Sequence, residues 1–263
     1  MSFKAERALP GVTHITDAMG VCMTLLEGKD RALLIDAGYG LENVRDYVRT
    51  LTDRPVSLIL THGHHDHALG AMHFERALIH PAEEAVYRTY TAGFQRRQVL
   101  MQAAEKGLSV DEAVYLRAPV PEPEMITGGE LDLGGLTGRV IPCPGHTPGS
   151  LVVYVTEQRL LLTGDDWNPT TWLFFPEALP VGDYLKNMRA LLDNCPFERA
   201  LCSHSPVLHE RAELEAFFGG LTPELLRAAE PSPEGKERGI RTGRCVPAEG
   251  MQLIFDLDKY AGE

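Results

Sequence analysis

Along the first part of the chain, apolar residues come in short blocks rather than at helical spacing. The blocks at 21–26 and 32–35 are separated by Gly20 and by Gly28-Lys29-Asp30, the punctuation of antiparallel strands joined by tight turns, so residues 12–36 read as a β-meander. Leu41, Val44, Val48 and Leu51 then share one helical face, and the β-branched run 56–60 predicts a buried strand ending at Thr61. Residues 82–116 change character. Tyr87, Tyr90, Phe94, Val99, Leu100 and Met101 are interleaved with Arg, Gln, Glu and Ala, which predicts a helical insertion over 82–118, closed by Pro119, Pro121 and Pro123. Strand patterns return at 131–141, 151–155 and 159–162, an amphipathic helix is predicted over 182–192, and a short strand over 199–202. The pattern then predicts helices at 207–218 and 222–229, a loop at 231–235 and a last strand at 251–257. No repeat or low-complexity tract divides the chain, so residues 1–263 are expected to form one domain.

Composition narrows the class. A chain of 263 residues can bury a full core without a disulfide or metal staple, so any metal site is expected to serve function rather than folding. The five cysteines are odd in number and never in C-x-x-C spacing, which fits a reducing compartment. A net charge of −12 repels phosphate backbones, and no basic run reverses it locally, so nucleic acid is not an expected partner. The N-terminal stretch mixes acidic and basic residues with no apolar h-region, and no run long enough to span a bilayer occurs. A cytoplasmic location, a small-molecule substrate and no membrane partner are the expectations, with a homodimer as one admissible assembly.

The chemistry is concentrated in Thr61-His62-Gly63-His64-His65-Asp66-His67, directly after the predicted buried strand. Alternate side chains of an extended segment share a side, so His62 and His64 can chelate one ion, while a turn at Asp66-His67 presents an oxygen and a nitrogen to a second. Pro144-Gly145-His146-Thr147-Pro148-Gly149-Ser150 forms a rigid loop between two predicted strands and offers His146 as a third nitrogen for the first ion. Leu160-Leu161-Leu162-Thr163-Gly164-Asp165 ends a strand in a glycine turn, where Asp165 can bridge two ions. His204, after the predicted strand 199–202, can join Asp66 and His67 on the second.

The order T-H-x-H-x-D-H, then G-H-T-x-G-S, then G-D, then a final His resembles the metallo-β-lactamase superfamily, and the resemblance runs from about Gly11 to His209. It implies an α+β fold, a four-layer αβ/βα sandwich carrying a helical insertion, with the metals at one edge between two sheets. It also implies His62, His64 and His146 on one metal, Asp66, His67 and His204 on the other, and Asp165 between them. Imidazoles with two carboxylates suit zinc first, although iron or manganese is accepted by the same set. Two divalent ions balanced against Asp66, Asp165 and a bridging hydroxide leave a small positive excess, which stabilises an oxyanion and supplies a hydroxide nucleophile at neutral pH. Asp66 and Asp165 are thus the expected catalytic carboxylates of a binuclear metal-dependent hydrolase that uses a metal-bound hydroxide.

Within the superfamily, Asp66-His67 together with Asp165 resembles the glyoxalase II, lactonase and phosphodiesterase branch, which points to an ester, thioester or lactone as the scissile bond. The sequence departs from the usual glyoxalase II pattern in having Gly63 where that group has His, and from the lactonases in having Trp167 and Asn168 where they place a Tyr soon after the bridging Asp. Phosphodiesterase or β-lactamase-type activity is a further alternative. An iron-dependent persulfide dioxygenase-like enzyme is the competing reading, although such enzymes use only positions like His62, His64, His146 and Asp165. Trp167, Trp172, Phe174 and Tyr87 are the candidate substrate contacts, with packing in the core as the competing fate of such aromatics. The insertion 82–118 is a candidate lid. The basic cluster Lys236, Arg238, Arg241 and Arg244 either grips a carboxylate or forms a solvated turn.

Overall fold

The computed structural model describes residues 2–260; Met1 and residues 261–263, the ends of the span expected to form one domain, lie outside the described residues. A first sheet runs in chain order through β1 (Lys4–Leu9), β2 (Val12–Thr16), β3 (Cys22–Glu27), β4 (Ala32–Ile35), β5 (Val56–Ile59), β6 (Leu78–Ile79) and β7 (Glu124–Met125). Its first four strands pair antiparallel, and β4 onward pair parallel. The chain continues through β8 (Gly129–Asp132), β9 (Thr137–Pro142), β10 (Leu151–Val155) and β11 (Leu160–Leu162). After β12 (Thr170–Leu173) come β13 (Arg199–Cys202) and β14 (Ser205–Glu210). The second sheet has the order β14-β13-β11-β10-β9-β8. A smaller third sheet pairs β12 with the C-terminal β15 (Glu230–Ser232), β16 (Thr242–Ala248) and β17 (Met251–Asp256).

The alternation of apolar side chains explains the layering. In the register Leu25↔Leu34 and Leu26↔Leu33, one set of side chains points each way. Leu26, Leu33 and Ile35 meet Val153, Val155, Leu160 and Leu201 between the two large sheets. Leu25, Leu34 and Leu58 instead pack under Val44 and Val48 of helix α1 (Val44–Arg49). On the far side, Val152, Tyr154 and Leu161 are covered by Tyr184, Leu185 and Met188, which belong to one of the later helices. The result is helix, sheet, sheet, helix. Strand β10 is buried at every position because both of its faces are covered, which is why it reads as an unbroken apolar run.

Between β5 and β7 lie the short α2 (His65–Ala68) and the insertion, whose helices are α3 (Glu84–Tyr90), α4 (Gly93–Glu105) and α5 (Glu112–Arg117). Helix α6 (Val181–Asn194) covers the second sheet, followed by α7 (Arg211–Gly220) and α8 (Pro223–Arg227). The stretch 207–218, expected to be helical throughout, divides: its beginning belongs to β14, and α7 starts only at Arg211. Pairing of Ala200 with His209 claims the first part for the sheet, and a reciprocal cap between Glu210 and Glu213 sets the helix start. Strands β1, β15 and β16 carried too few alternating apolar residues to be foreseen; β1 is largely exposed, and β16 contains Pro247. Among the described residues no helix is long and apolar enough to cross a membrane, and all five cysteines are buried as free thiols.

Candidate metal centre

The strand ends gather the chemistry. Strands β4 and β5 run parallel, as do β11 and β13, so Asp36, the 61–67 segment, Asp165 and His204 all emerge at carboxyl ends of strands, while His146 sits in the turn between β9 and β10. Two clusters result. His62, His64 and His146 form one and Asp66, His67, Asp165 and His204 the other, with donor atoms in each lying within 4.8 Å of one another. Oδ2 of Asp165 lies 3.1 Å from His204 Nε2, 3.4 Å from His67 Nε2 and 3.7 Å from His146 Nε2, so this one oxygen faces both clusters.

Proton accounting tests whether these groups suit a cation. His62 Nδ1 donates to the Thr61 hydroxyl at 3.0 Å, because that hydroxyl itself donates to Asp36 at 2.8 Å. His146 Nδ1 donates to the Trp172 carbonyl at 2.7 Å, and His64 Nε2 donates to Glu177 at 2.5 Å. Each neutral imidazole has then spent its single N–H on an outer partner. The remaining nitrogens face one another: His62 Nε2 is 3.1 Å and His146 Nε2 2.9 Å from His64 Nδ1. Three lone pairs converge with no proton between them, an arrangement that a cation relieves. His67 repeats the pattern: Nδ1 donates to Asp36 at 2.9 Å, while the buried Nε2 has no hydrogen-bond partner and faces the oxygens of Asp66 and Asp165. The donor set, nitrogen-rich on one side and carboxylate-containing on the other, fits two divalent ions.

Electrostatics agree with the geometry. Burial, reinforced by the neighbouring imidazoles, pushes His62 well below the usual histidine range, and burial with His64 holds His146 at about 4. Burial works against ionisation of Asp66 and Asp165, yet the imidazoles of His67 and His204 keep both carboxyls well below the usual range. His67 is driven upward because Asp165, Asp66 and Asp36 outweigh its burial. His204 is raised against its burial by Asp165 and Asp66 in the same way, so the protons on these two imidazoles are the positive charge that a bound cation would replace beside the two carboxylates.

Supporting residues fix the loops. Buried Glu83, just ahead of α3, accepts the Gly63 N–H at 2.8 Å and the Gly149 N–H at 2.7 Å, tying two of the histidine-bearing loops to one carboxylate. Gly63 itself is forced: a Cβ there would lie 2.5 Å from the Tyr87 backbone nitrogen of α3. Asn168 accepts the His204 N–H at 3.0 Å and donates to Asp165 at 3.2 Å. Asp36 adopts a left-handed φ of 63° while holding both the Thr61 backbone and His67. Sequence reading missed Asp36, Glu83 and Glu177. Asp36 had a signal, since it is a carboxylate directly after an apolar strand, much as Asp165 closely follows 160–162; Glu83 and Glu177 lie far from the clustered histidines in sequence and carry none.

A cavity of about 600 Å³ opens over the clusters, with Tyr39, Tyr90, Trp172, Phe174 and Phe175 among its walls. Trp172 and Phe174 therefore stand where substrate contacts were expected. Trp167 and Tyr87 do not. Trp167 is fully buried against His209 and Phe217, because β12 begins after it and turns its ring into the core. Tyr87 is buried on the core side of α3 with its hydroxyl donated to the Pro121 carbonyl, while Tyr90, one helical turn on, reaches the cavity instead. Phe94 points outward into solvent.

Comparison with known proteins meets the same fold. Among solved structures, a metallo-β-lactamase family protein from Thermus thermophilus, TTHA1429, aligns with a TM-score of 0.58 at 20% identity, over 95% of this chain and all of its own. TTHA1623, solved in a di-iron-bound form, gives 0.55 at 22% identity, over 76% of this chain and 94% of its own. Among curated sequences, the acyl-coenzyme A thioesterase MBLAC2 of Gallus gallus is 29% identical over 202 residues, 68% of this chain and 70% of its own, and the probable metallo-hydrolase YqgX of Bacillus subtilis is 28% identical over 137 residues, 52% and 61%. The sequence profile of the metallo-beta-lactamase superfamily matches residues 17–165, a stretch that holds six of the seven clustered donors and more than half of the chain; this protein belongs to that superfamily.

Proposed function

We propose that this protein is a thioester hydrolase that works with two divalent ions, zinc in the first instance. His62, His64 and His146 would hold one ion, and Asp66, His67 and His204 the other, with Asp165 shared. The observation that carries the reading is the convergence of unprotonated nitrogens and buried carboxylates at the floor of a large, aromatic-walled cavity. Ions bound there supply a water of lowered pKa and an electrophile for a carbonyl oxygen.

The chain's own residues do the rest. Asp36, Glu177, Thr61 and the Trp172 carbonyl keep the imidazole protons on the outer nitrogens, so the inner ones stay available. Asn168 holds Asp165 and the His204 backbone in one frame. The Tyr39 phenol is pushed up by burial and the nearby carboxylates, so it enters the cavity as a protonated donor. Phe174 stacks on Phe175 and meets Trp172 at a tilt, with ring centroids 4.9 and 5.3 Å apart, and the three offer an apolar surface that excludes water from an acyl group. Tyr90 and Gln102 bring the insertion to the cavity wall, the position of a lid. The MBLAC2 relatives, named as acyl-coenzyme A thioesterases, support a thioester over the other scissile bonds.

The test is thiol release from acyl-coenzyme A by metal-loaded protein, compared with a lactone, a phosphodiester and a penicillin under the same conditions. The thioester is expected to be turned over with the largest kcat/KM, and the Asp66→Ala variant to lose that activity. Faster turnover of the phosphodiester or the penicillin would overturn the reading.

A further inference from the structure

Of the basic cluster near the C-terminus, two members are spoken for: Arg241 pairs with Asp258 at 2.7 Å and Arg244 with Glu230 at 3.5 Å. Arg238 is different. It is the one Lys or Arg among the described residues that line the cavity, and no described carboxylate lies within ion-pair distance of it. Its guanidinium carbon sits 5.1 Å over the Phe175 ring, and that ring is in turn 4.7 Å from the His64 ring and 5.5 Å from the His146 ring. The charge thus stands two ring contacts away from a cluster of candidate ligands. Its place is set by structure rather than chance. The short turn Lys236–Arg238 is flanked by Gly235 and Gly239, both left-handed.

A guanidinium held over an aromatic face keeps N–H donors on its edge, and that edge matches the two oxygens of a carboxylate or phosphate. Arg238 is exposed on the cavity wall, so those edge donors are open to an incoming oxyanion. We propose that Arg238 recognises an oxyanion, carboxylate or phosphate, on the leaving thiol of the substrate, while the Trp172–Phe175 wall takes the acyl group. The inference rests on the thioesterase reading and sharpens it: the substrate class is the thioester of an acidic thiol, not a neutral one.

Matched substrates separate the two oxyanions. One acyl group is presented on 4′-phosphopantetheine and on pantetheine, which differ by a phosphate, and again on 3-mercaptopropionate and its amide, which differ by a carboxylate. The protein is expected to show a KM about ten-fold or more lower for the charged member of at least one pair, the pair identifying the oxyanion. Arg238→Met should bring that ratio close to one with the loss falling on KM of the charged member, and Arg238→Lys should restore part of it. Equal KM values within both pairs, or a ratio unchanged in Arg238→Met, would overturn the proposal.

A second readout does not depend on turnover. The thioethers S-methyl-4′-phosphopantetheine and S-methyl-pantetheine, titrated calorimetrically, should bind the unaltered protein with the same preference for charge and Arg238→Met with none. If no thioester is hydrolysed, the thioesterase reading fails while this binding preference still reports on Arg238. If thioesters are hydrolysed without a charge preference, the Arg238 proposal alone falls.

Discussion

Replacing Glu177 isolates the contribution of an outer carboxylate to ion binding. Its Oε1 lies 2.5 Å from His64 Nε2, with the two side chains only 16% and 4% exposed, so the contact is shielded from water. Burial opposes its charge, yet the bond from His64 holds the carboxyl down at about 2, so it is ionised at any working pH. An ionised acceptor there fixes the His64 proton on Nε2 and presents the Nδ1 lone pair to the ion. Loss of such a partner typically costs 10- to 100-fold in metal affinity, about 1.4 to 2.7 kcal/mol. Competition against a chromophoric chelator should therefore rank Glu177→Ala weakest and Glu177→Gln between it and the unaltered protein, since the amide oxygen still accepts but carries no charge. The loss should fall on one ion and leave the other bound, and thermal unfolding of the metal-free forms should show that Glu177→Ala is folded. Unaltered affinity for both ions in folded Glu177→Ala would refute the reasoning.

Other perturbations follow from the same geometry. Glu83→Ala leaves the Gly63 and Gly149 N–H groups without their acceptor, at about 1–3 kcal/mol each, so chemical denaturation should show a loss of several kcal/mol together with weakened metal binding; a neutral result would refute the role given to Glu83. Gly63→Ala places a methyl against the Tyr87 backbone, and about 1–3 kcal/mol of destabilisation is expected in the same assay, with no loss counting against the packing argument. His14, buried and bonded to Thr24, is held at about 4 mainly by burial. Between pH 6.5 and 4 the unfolded chain therefore takes up a proton that the folded one refuses, so stability falls as pH drops through that window, by up to about 3 kcal/mol. Urea unfolding of chelator-treated His14→Gln should show a shallower pH slope there, and an identical slope would exclude His14 as the cause.

How much of this was legible in the sequence depended on where each group's partner lies. The seven clustered donors stood out because each follows or precedes a short strand and belongs to a compact motif such as 61–67 or 144–150. Strands buried on both faces, β10 above all, were legible as apolar runs. What sequence could not give was orientation. Tyr87 and Tyr90 carry the same chemistry three residues apart, and only the packing of α3 decides that one enters the core and the other the cavity. Trp167 and Trp172 divide in the same way at the start of β12. Glu177 and Glu83 reach the histidine loops across tertiary contacts, so no local spacing announces them. The edge strand β1 and the C-terminal β16 take their place from pairing with neighbours rather than from their own apolar content.

The central claim is that these donors hold two ions. Elemental analysis of protein purified without a metal-binding tag, alongside Asp66→Ala and His204→Ala, tests it most directly. The account predicts about two zinc ions per chain, falling toward one in both variants, since both substitutions strip the cluster of Asp66, His67 and His204 while leaving His62, His64 and His146 intact. A single iron per chain, unchanged in either variant, would contradict it.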